Sequence, residues 1–361
     1  MSEGSHIMAM DERLLKVGVL GCGPIAQAAH FESAVKARNA ELYAICDVAE
    51  DLLERMAWTF APTKTFRNYD EMLADPALDA VIIATSDAFH VTAAIAALKA
   101  GKHVLCEKPL AVNYPEAMDM VTTAESRGVI NMVNLTYRNS AALQKARDAI
   151  AAGDLGEIVH VDMCYLQSWL VSSAWGDWRN NPAWLWRLSK AHGSLGVLGD
   201  LGIHALDFAS FPVGRIKQVN ARLKAFSEFK GERHNEYTLD ANDTALIHVE
   251  FENGALGTIH TTRWATGYLN TIQLRVFGTK GSLRIDLDRS WDRYEVSLAD
   301  EMQKGIWREV VCPETPTNYR RFIDSIRMGI NDQPDFRRGA DIQKVLDACV
   351  VSDANRTPVD L

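Results

Sequence analysis

Val17-Gly18-Val19-Leu20-Gly21-Cys22-Gly23-Pro24-Ile25-Ala26 is the stretch that decides the fold. An apolar run too short for a helix leads into two glycines one residue apart, and these open a helical window. Glycines at such a turn let the backbone approach a pyrophosphate. The helix start adds unpaired N–H groups and the positive end of a dipole. Ala26 stands where the fingerprint's third glycine would, a replacement the fingerprint permits. Asp47 closes the next apolar run, 42–46, where a carboxylate can accept hydrogen bonds from a ribose 2′-hydroxyl and would repel a 2′-phosphate. Val48 and Ala49 add no cation, so NAD is expected in preference to NADP.

Further short runs rich in Val, Ile and Leu follow at 80–84, 104–106 and 129–133, with helical windows such as 91–100 between them. Strand and helix in alternation predict a doubly wound parallel sheet, a Rossmann α/β fold. After Tyr137 the rhythm changes. A helix-like stretch at 140–152 ends at Gly153, and from Ile158 the strands take an antiparallel style. The runs 245–251 and 255–261 flank Asn253-Gly254, a hairpin dipeptide whose residues both tolerate positive φ. Gly278-Thr279-Lys280-Gly281 separates two more strands, and 319–328 and 339–352 read as helices. The expected organisation is therefore a tag or flexible N-terminus at 1–15, a nucleotide-binding domain at 16–136, and an α+β substrate-binding domain at 137–361. Within the first segment, Gly4-Ser5-His6-Ile7-Met8 reads as an expression scar.

A chain of 361 residues, 47% hydrophobic and 24% charged, suits two globular domains and excludes disorder or coiled coil as the main architecture. No apolar run approaches the roughly 18 residues of a membrane span. The net charge of −9 argues against a nucleic-acid or anionic membrane partner and leaves a small molecule as the expected one. Six scattered cysteines form no zinc-site spacing, so no metal is expected, and reduced thiols in a cytoplasm-like compartment are.

Three segments carry candidate chemistry. Thr85-Ser86-Asp87-Ala88-Phe89-His90 and Glu107-Lys108-Pro109 each follow an apolar run, at the carboxyl end of the sheet where ligands of such folds bind. The third, 194–207, contains Asp200, His204 and Asp207 at helical spacing on one face. A carboxylate one turn from an imidazole is general acid–base equipment. Five of the nine tryptophans (169, 175, 178, 184 and 186) crowd a stretch that also holds Arg179 and Arg187. Aromatic faces can stack on a sugar ring and Arg can bind its hydroxyl or carboxylate groups; equally, such a stretch can be a packed loop or a subunit contact. Tyr137-Arg138 and Arg263-Trp264 are further candidates.

In this order and spacing, the 21–26 fingerprint, Glu107-Lys108-Pro109, the glycine-containing stretch into Asp200-Leu201-Gly202-Ile203-His204, and Gly278-Thr279-Lys280-Gly281-Ser282 resemble the Gfo/Idh/MocA oxidoreductases. Two departures stand out. The family commonly has Thr-Pro-Asn-x-x-His at 85–90, and its glycine triplet is denser than Gly193-Ser194-Leu195-Gly196. The resemblance implies a C-terminal domain with a large, mostly antiparallel open sheet and assembly into homodimers or homotetramers through it. It also implies that Lys108, Asp200 and His204 are catalytic. Expected cofactor contacts are Gly21, Gly23, Pro24, Ile25, Ala26, Asp47, Thr85, Ser86, His90, Glu107 and Lys108. Expected substrate contacts are Lys108, Arg138, Trp186, Arg187, Asp200 and His204. The activity expected is hydride transfer between nicotinamide and a secondary hydroxyl of a sugar, cyclitol or sugar derivative. Alternatives are an NAD-retaining enzyme that cleaves or interconverts glycosides without net redox change, and a non-catalytic NAD-binding sensor.

Overall fold

The computed structural model describes residues 13–192, 195–226 and 232–361, so the expected scar lies outside the described residues, as do Gly193 and Ser194. The chain divides into two compact units, the first from Met1–Glu107, Asp119–Asn134 and Asn318–Phe336, the second from Lys108–Met118, Leu135–Thr317 and Arg337–Leu361. This corrects a single cut after residue 136. The late helix Asn318–Met328 belongs to the first unit because Phe322 and Ile323 sit in its core and Asn318 Nδ2 donates to Asn134 Oδ1 at 3.2 Å.

In the first unit, β1 (Leu15–Leu20), β2 (Ala40–Cys46), β3 (Lys64–Phe66), β4 (Ala80–Ile83), β5 (His103–Cys106) and β6 (Asn131–Val133) form a parallel sheet. Its order is β3-β2-β1-β4-β5-β6, so the winding reverses between β1 and β4. The edge strand β3 is three residues of Lys, Thr and Phe, too short and too exposed to announce itself by pattern. Val17, Val19, Ile45, Ile82, Leu105 and Met132 are buried with Phe31 in one core, each such side chain contributing roughly 1.5–3 kcal/mol.

The second unit holds β7 (Ile158–Gln167), β8 (Ile216–Lys224), a small separate hairpin of β9 (Arg233–His234) and β10 (Tyr237–Thr238), then β11 (Thr244–Phe251), β12 (Leu256–Thr262), β13 (Asn270–Gly278), β14 (Gly281–Asp286), β15 (Arg293–Leu298), β16 (Arg308–Val311) and β17 (Val359–Asp360). Nine of these form one sheet ordered β16-β15-β14-β13-β7-β12-β11-β8-β17. It is mostly antiparallel, but β7 and β12 pair in parallel, which the strand-by-strand reading did not foresee. At the β11–β12 turn only Gly254 takes positive φ (85°); Asn253 instead accepts from Ala255 N through its side chain at 3.1 Å. Alternate residues of β11 are buried, whereas Leu246 and His248 face away. The helix Ile203–Val213 packs against β7, β12 and β13.

Candidate active site

Within the first unit the nucleotide fingerprint has the expected form. Gly21 has φ 96°, and a Cβ there would stand 2.6 Å from Ala84 O, so a side chain is excluded by both backbone and space. At Gly23 a Cβ would meet nothing within 4 Å, which leaves bare backbone open to an approaching group. A wide π-type turn, Ala26–His30, starts the helix behind it. Asp47 ties this loop to the end of β2: its Oδ2 accepts from Cys22 N at 2.7 Å and its Oδ1 from Ala49 N at 2.9 Å. Each oxygen keeps a further lone pair for a ribose hydroxyl. These residues fit a dinucleotide. Pro24, Ile25 and Ser86 are exposed and Thr85 is half-buried.

Two expected cofactor contacts are placed otherwise. His90 is fully buried, its Nε2 3.2 Å from Thr85 O, and it supports the loop from behind. Glu107 is buried too: its Oε1 lies 3.0 Å from His30 Nε2 and accepts from Asn134 Nδ2 at 2.7 Å. Tyr319 closes that knot through His30 Nδ1 at 2.9 Å. A buried carboxylate needs such partners, and they turn the Glu107 side chain inward.

The second unit gathers the proton and charge chemistry around Asp200. A π-type turn, Leu198–Gly202, precedes the helix Ile203–Val213. Asn242 holds its start: Val197 N donates to Asn242 O at 2.7 Å and Leu198 N to Asn242 Oδ1 at 3.0 Å. Gly196 makes this possible, since φ is 66° and a Cβ would collide with Asn242 O at 2.3 Å. Lys108 Nζ then donates to Asp200 Oδ1 at 3.0 Å and to its carbonyl at 3.2 Å. Arg263 Nη2 donates to Oδ2 at 2.9 Å, and Arg187 Nε lies 3.6 Å from the same oxygen. Burial alone would raise the Asp200 pKa, yet Lys108, Arg187 and Arg263 hold it well below the usual carboxylate range.

His204 is buried, with the Tyr137 ring edge-on at 4.9 Å and the Tyr165 ring at 6.4 Å between centroids. The two phenol oxygens are 2.6 Å apart, and Tyr165 donates to Asn270 Oδ1 at 2.8 Å. Burial raises both phenol pKa values, so they remain neutral donors at physiological pH. Lys108 and Asp200 are near enough to act electrostatically on Tyr137. Lys108, Asp200, His204 and this tyrosine pair are thus one constellation. Tyr165 was not legible in the sequence, because an inward tyrosine on a strand reads like any buried aromatic residue.

Asp207 and Arg138 do not join it. The wide turn breaks the helical spacing on which the one-face reading depended, and Asp207 binds elsewhere. Arg138 meets its two oxygens at 2.6 and 2.7 Å and Arg338 Nε adds a contact at 2.8 Å. Arg138 is fully buried and stacks on Phe211 at 3.4 Å, which corrects its expected role as a substrate contact. The tryptophan stretch divides in a similar way. Trp169 and Trp178 are core, packed with Leu170, Leu185, Leu188 and Leu239. Trp184 and Trp186 are half-buried and carry the Arg187 guanidinium at 5.2 and 4.6 Å. Arg263, between Trp169 (4.8 Å) and Asp200, is the strongest partner that sequence reading underrated; only its place at the end of a hairpin strand hinted at it.

Residues 15–135 match the family model described as "Oxidoreductase family, NAD-binding Rossmann fold", and residues 143–284 match the GFO/IDH/MocA C-terminal domain. The chain is 28% identical to a levoglucosan dehydrogenase of Pseudarthrobacter phenanthrenivorans over 356 residues, 88% of each chain. It is 30% identical to a myo-inositol 2-dehydrogenase of Thermotoga maritima over 274 residues, 75% of each. Among solved structures, levoglucosan dehydrogenase in complex with NADH and levoglucosan superposes with a TM-score of 0.86 at 28% identity, covering 96% of this chain and 99% of that one.

Proposed function

The chain belongs to the GFO/IDH/MocA oxidoreductase family, with an NAD-binding Rossmann unit, and from that premise we propose that it oxidises a secondary hydroxyl of a sugar, cyclitol or sugar derivative. The observation that carries the reading is the Lys108 ammonium fixed on Asp200, with the Tyr137 ring between that pair's field and His204. NAD, when bound, supplies the hydride acceptor at nicotinamide C4. His204 takes the hydroxyl proton, and the Lys108 charge stabilises the alkoxide as it develops. Asp200 holds that ammonium in place and stays ionised while it does so.

The similarity to levoglucosan and myo-inositol dehydrogenases supports a cyclic polyol as substrate. The test is a panel of sugars and cyclitols incubated separately with NAD and NADP, following NADH or NADPH absorbance. We expect stoichiometric NADH with at least one polyol and a preference for NAD. Turnover without net NADH would instead identify an NAD-retaining enzyme. Tight NAD binding without any turnover would identify a sensor. The reading includes self-association through the open sheet face, where a cavity of about 430 Å³ is lined by Phe226, Leu246, His260 and Trp264 among others. Light scattering on a sizing column checks it; a monomer at micromolar concentration would overturn it.

A further inference from the structure

Trp169 fixes the direction of every hydrogen bond in a chain that ends at Tyr137. An indole N–H can only donate, and Trp169 Nε1 lies 3.0 Å from Gln167 Oε1, so the Gln167 amide is held with its oxygen toward Trp169. Gln167 Nε2 must then donate, and it does so to Asn270 Oδ1 at 2.8 Å. Turned the other way, Asn270 would set one amide NH₂ against another. Asn270 Oδ1 is therefore an acceptor here, and it takes the Tyr165 proton at 2.8 Å. A phenol has one proton to give. With its own directed at Asn270, Tyr165 can only accept across the 2.6 Å contact to Tyr137, so Tyr137 is the donor there.

Tyr137 is thereby left with an oxygen that can accept and no proton to offer. Asn270 Nδ2 approaches that oxygen at 3.4 Å, and among the described residues Tyr137 makes no further hydrogen bond. The chain behind it is buried at Trp169, Gln167 and Tyr165, whereas Tyr137 is half-buried, against the His204 ring and within the field of Lys108 and Asp200. An acceptor in that place has a chemical consequence. The hydroxyl being oxidised gives its one proton to His204, and the alkoxide it becomes needs donors, so it is not the group that meets Tyr137. A second hydroxyl, its proton uncommitted, is.

We propose that Tyr137 is a specificity-determining residue that accepts a hydrogen bond from a second hydroxyl of the substrate, neighbouring the one oxidised, and that Trp169, Gln167 and Asn270 are positioning residues that fix this polarity. The inference rests on the dehydrogenase reading above and deepens it. A group at that carbon that can only accept, such as an ether oxygen, a carbonyl or fluorine, is rejected as firmly as bare hydrogen, because it sets lone pair against lone pair.

Fluorine cannot donate, so deoxyfluoro sugars separate the two polarities. The experiment compares D-glucose with its monodeoxy and monodeoxyfluoro derivatives at each ring hydroxyl, reading binding to the full-length protein loaded with NADH by calorimetry and, with NAD, NADH formation. At one carbon we expect both derivatives to bind at least about tenfold more weakly than glucose, and Tyr137→Phe to bring all three within about twofold. Asn270 is exposed, so its variants keep the fold. Asn270→Asp, which still accepts from Tyr165, should preserve the selectivity, and Asn270→Ala, which releases the Tyr165 proton, should weaken it by about threefold or more. A fluoro derivative that binds like glucose where the deoxy sugar is lost, a loss that survives Tyr137→Phe, or a selectivity untouched by Asn270→Ala overturns the proposal. Neutron diffraction from deuterated crystals tests the polarity without any sugar, and decides alone if glucose does not bind. We expect one deuterium on Tyr137 directed at Tyr165 and one on Tyr165 directed at Asn270; the reverse order overturns the proposal. Selective binding without NADH formation would sink the dehydrogenase reading and leave the polarity of Tyr137 standing.

Discussion

The Lys108 ammonium lies 3.0 Å from Oδ1 of Asp200, although 92 residues separate the two in the chain. That contact puts a fixed positive charge beside His204's helix while keeping the lysine from wandering into solvent. Replacing Lys108 by Ala removes the charge that stabilises a developing alkoxide and should lower kcat by roughly 100- to 1,000-fold or more. Binding of NADH, followed by its fluorescence, should be nearly unchanged. Near wild-type turnover would remove Lys108 from the mechanism.

Asp200→Asn should hurt folding as well as turnover. Arg263, wholly buried, would lose its charged partner, and stranding a buried cation costs about 3–5 kcal/mol. A urea denaturation series reads this. A loss below about 1 kcal/mol would mean that Arg263 is satisfied by other groups.

Asp207 gives the fold an acid limit. Burial would raise its pKa, but Arg138 and Arg338 lower it from 3.8 to about 2. Because the folded value lies below the unfolded one, the stabilisation is complete above about pH 4 and is lost as pH falls toward 2. It amounts to about 2 kcal/mol. Thermal melts between pH 5 and 2 should show this loss in wild type, and Asp207→Asn should flatten it while lowering stability at neutral pH. An unchanged acid dependence in the variant would refute the assignment.

Gly21→Ala would force a side chain into positive φ and against Ala84 O. We expect a loss of about 1–3 kcal/mol in stability. The same change at Gly23, where nothing stands within 4 Å, should leave the melting temperature nearly unchanged and weaken NAD binding instead. The contrast between the two glycines, read by melting and by NADH titration, is the test.

Asp47→Ser shortens the side chain and removes the negative charge expected to face the ribose. The KM for NAD should rise by about tenfold and the preference over NADP should fall. An unaltered ratio of the two kcat/KM values would show that Asp47 acts only in bridging Cys22 N and Ala49 N.

Much of the first unit was legible because its signals are local. A β-strand buried on both faces reads as an apolar run whatever it packs against, and the positive φ of the turn already asks for glycine at Gly21 before the nearby Ala84 carbonyl adds its own demand. The three-residue β3 escaped notice because it is too short to carry a period. Asp207 was misjudged for a different reason. Helical spacing assumes 3.6 residues per turn, and the wide turn at Leu198–Gly202 breaks that count just where the site begins.

By itself, then, the sequence determined the winding of the Rossmann sheet, the glycine turn with Asp47 beyond it, and which lysine, histidine and aspartate could do chemistry. Only the tertiary structure decided which charges meet. Arg263 and Arg187 converge on Asp200, while Arg138, adjacent to Tyr137 in the chain, is committed to Asp207. The physical reason is that a strand or a turn is fixed by neighbours a few residues away. A buried ion pair is fixed by whichever distant backbone delivers an opposite charge to the same dry place, and no local pattern records that.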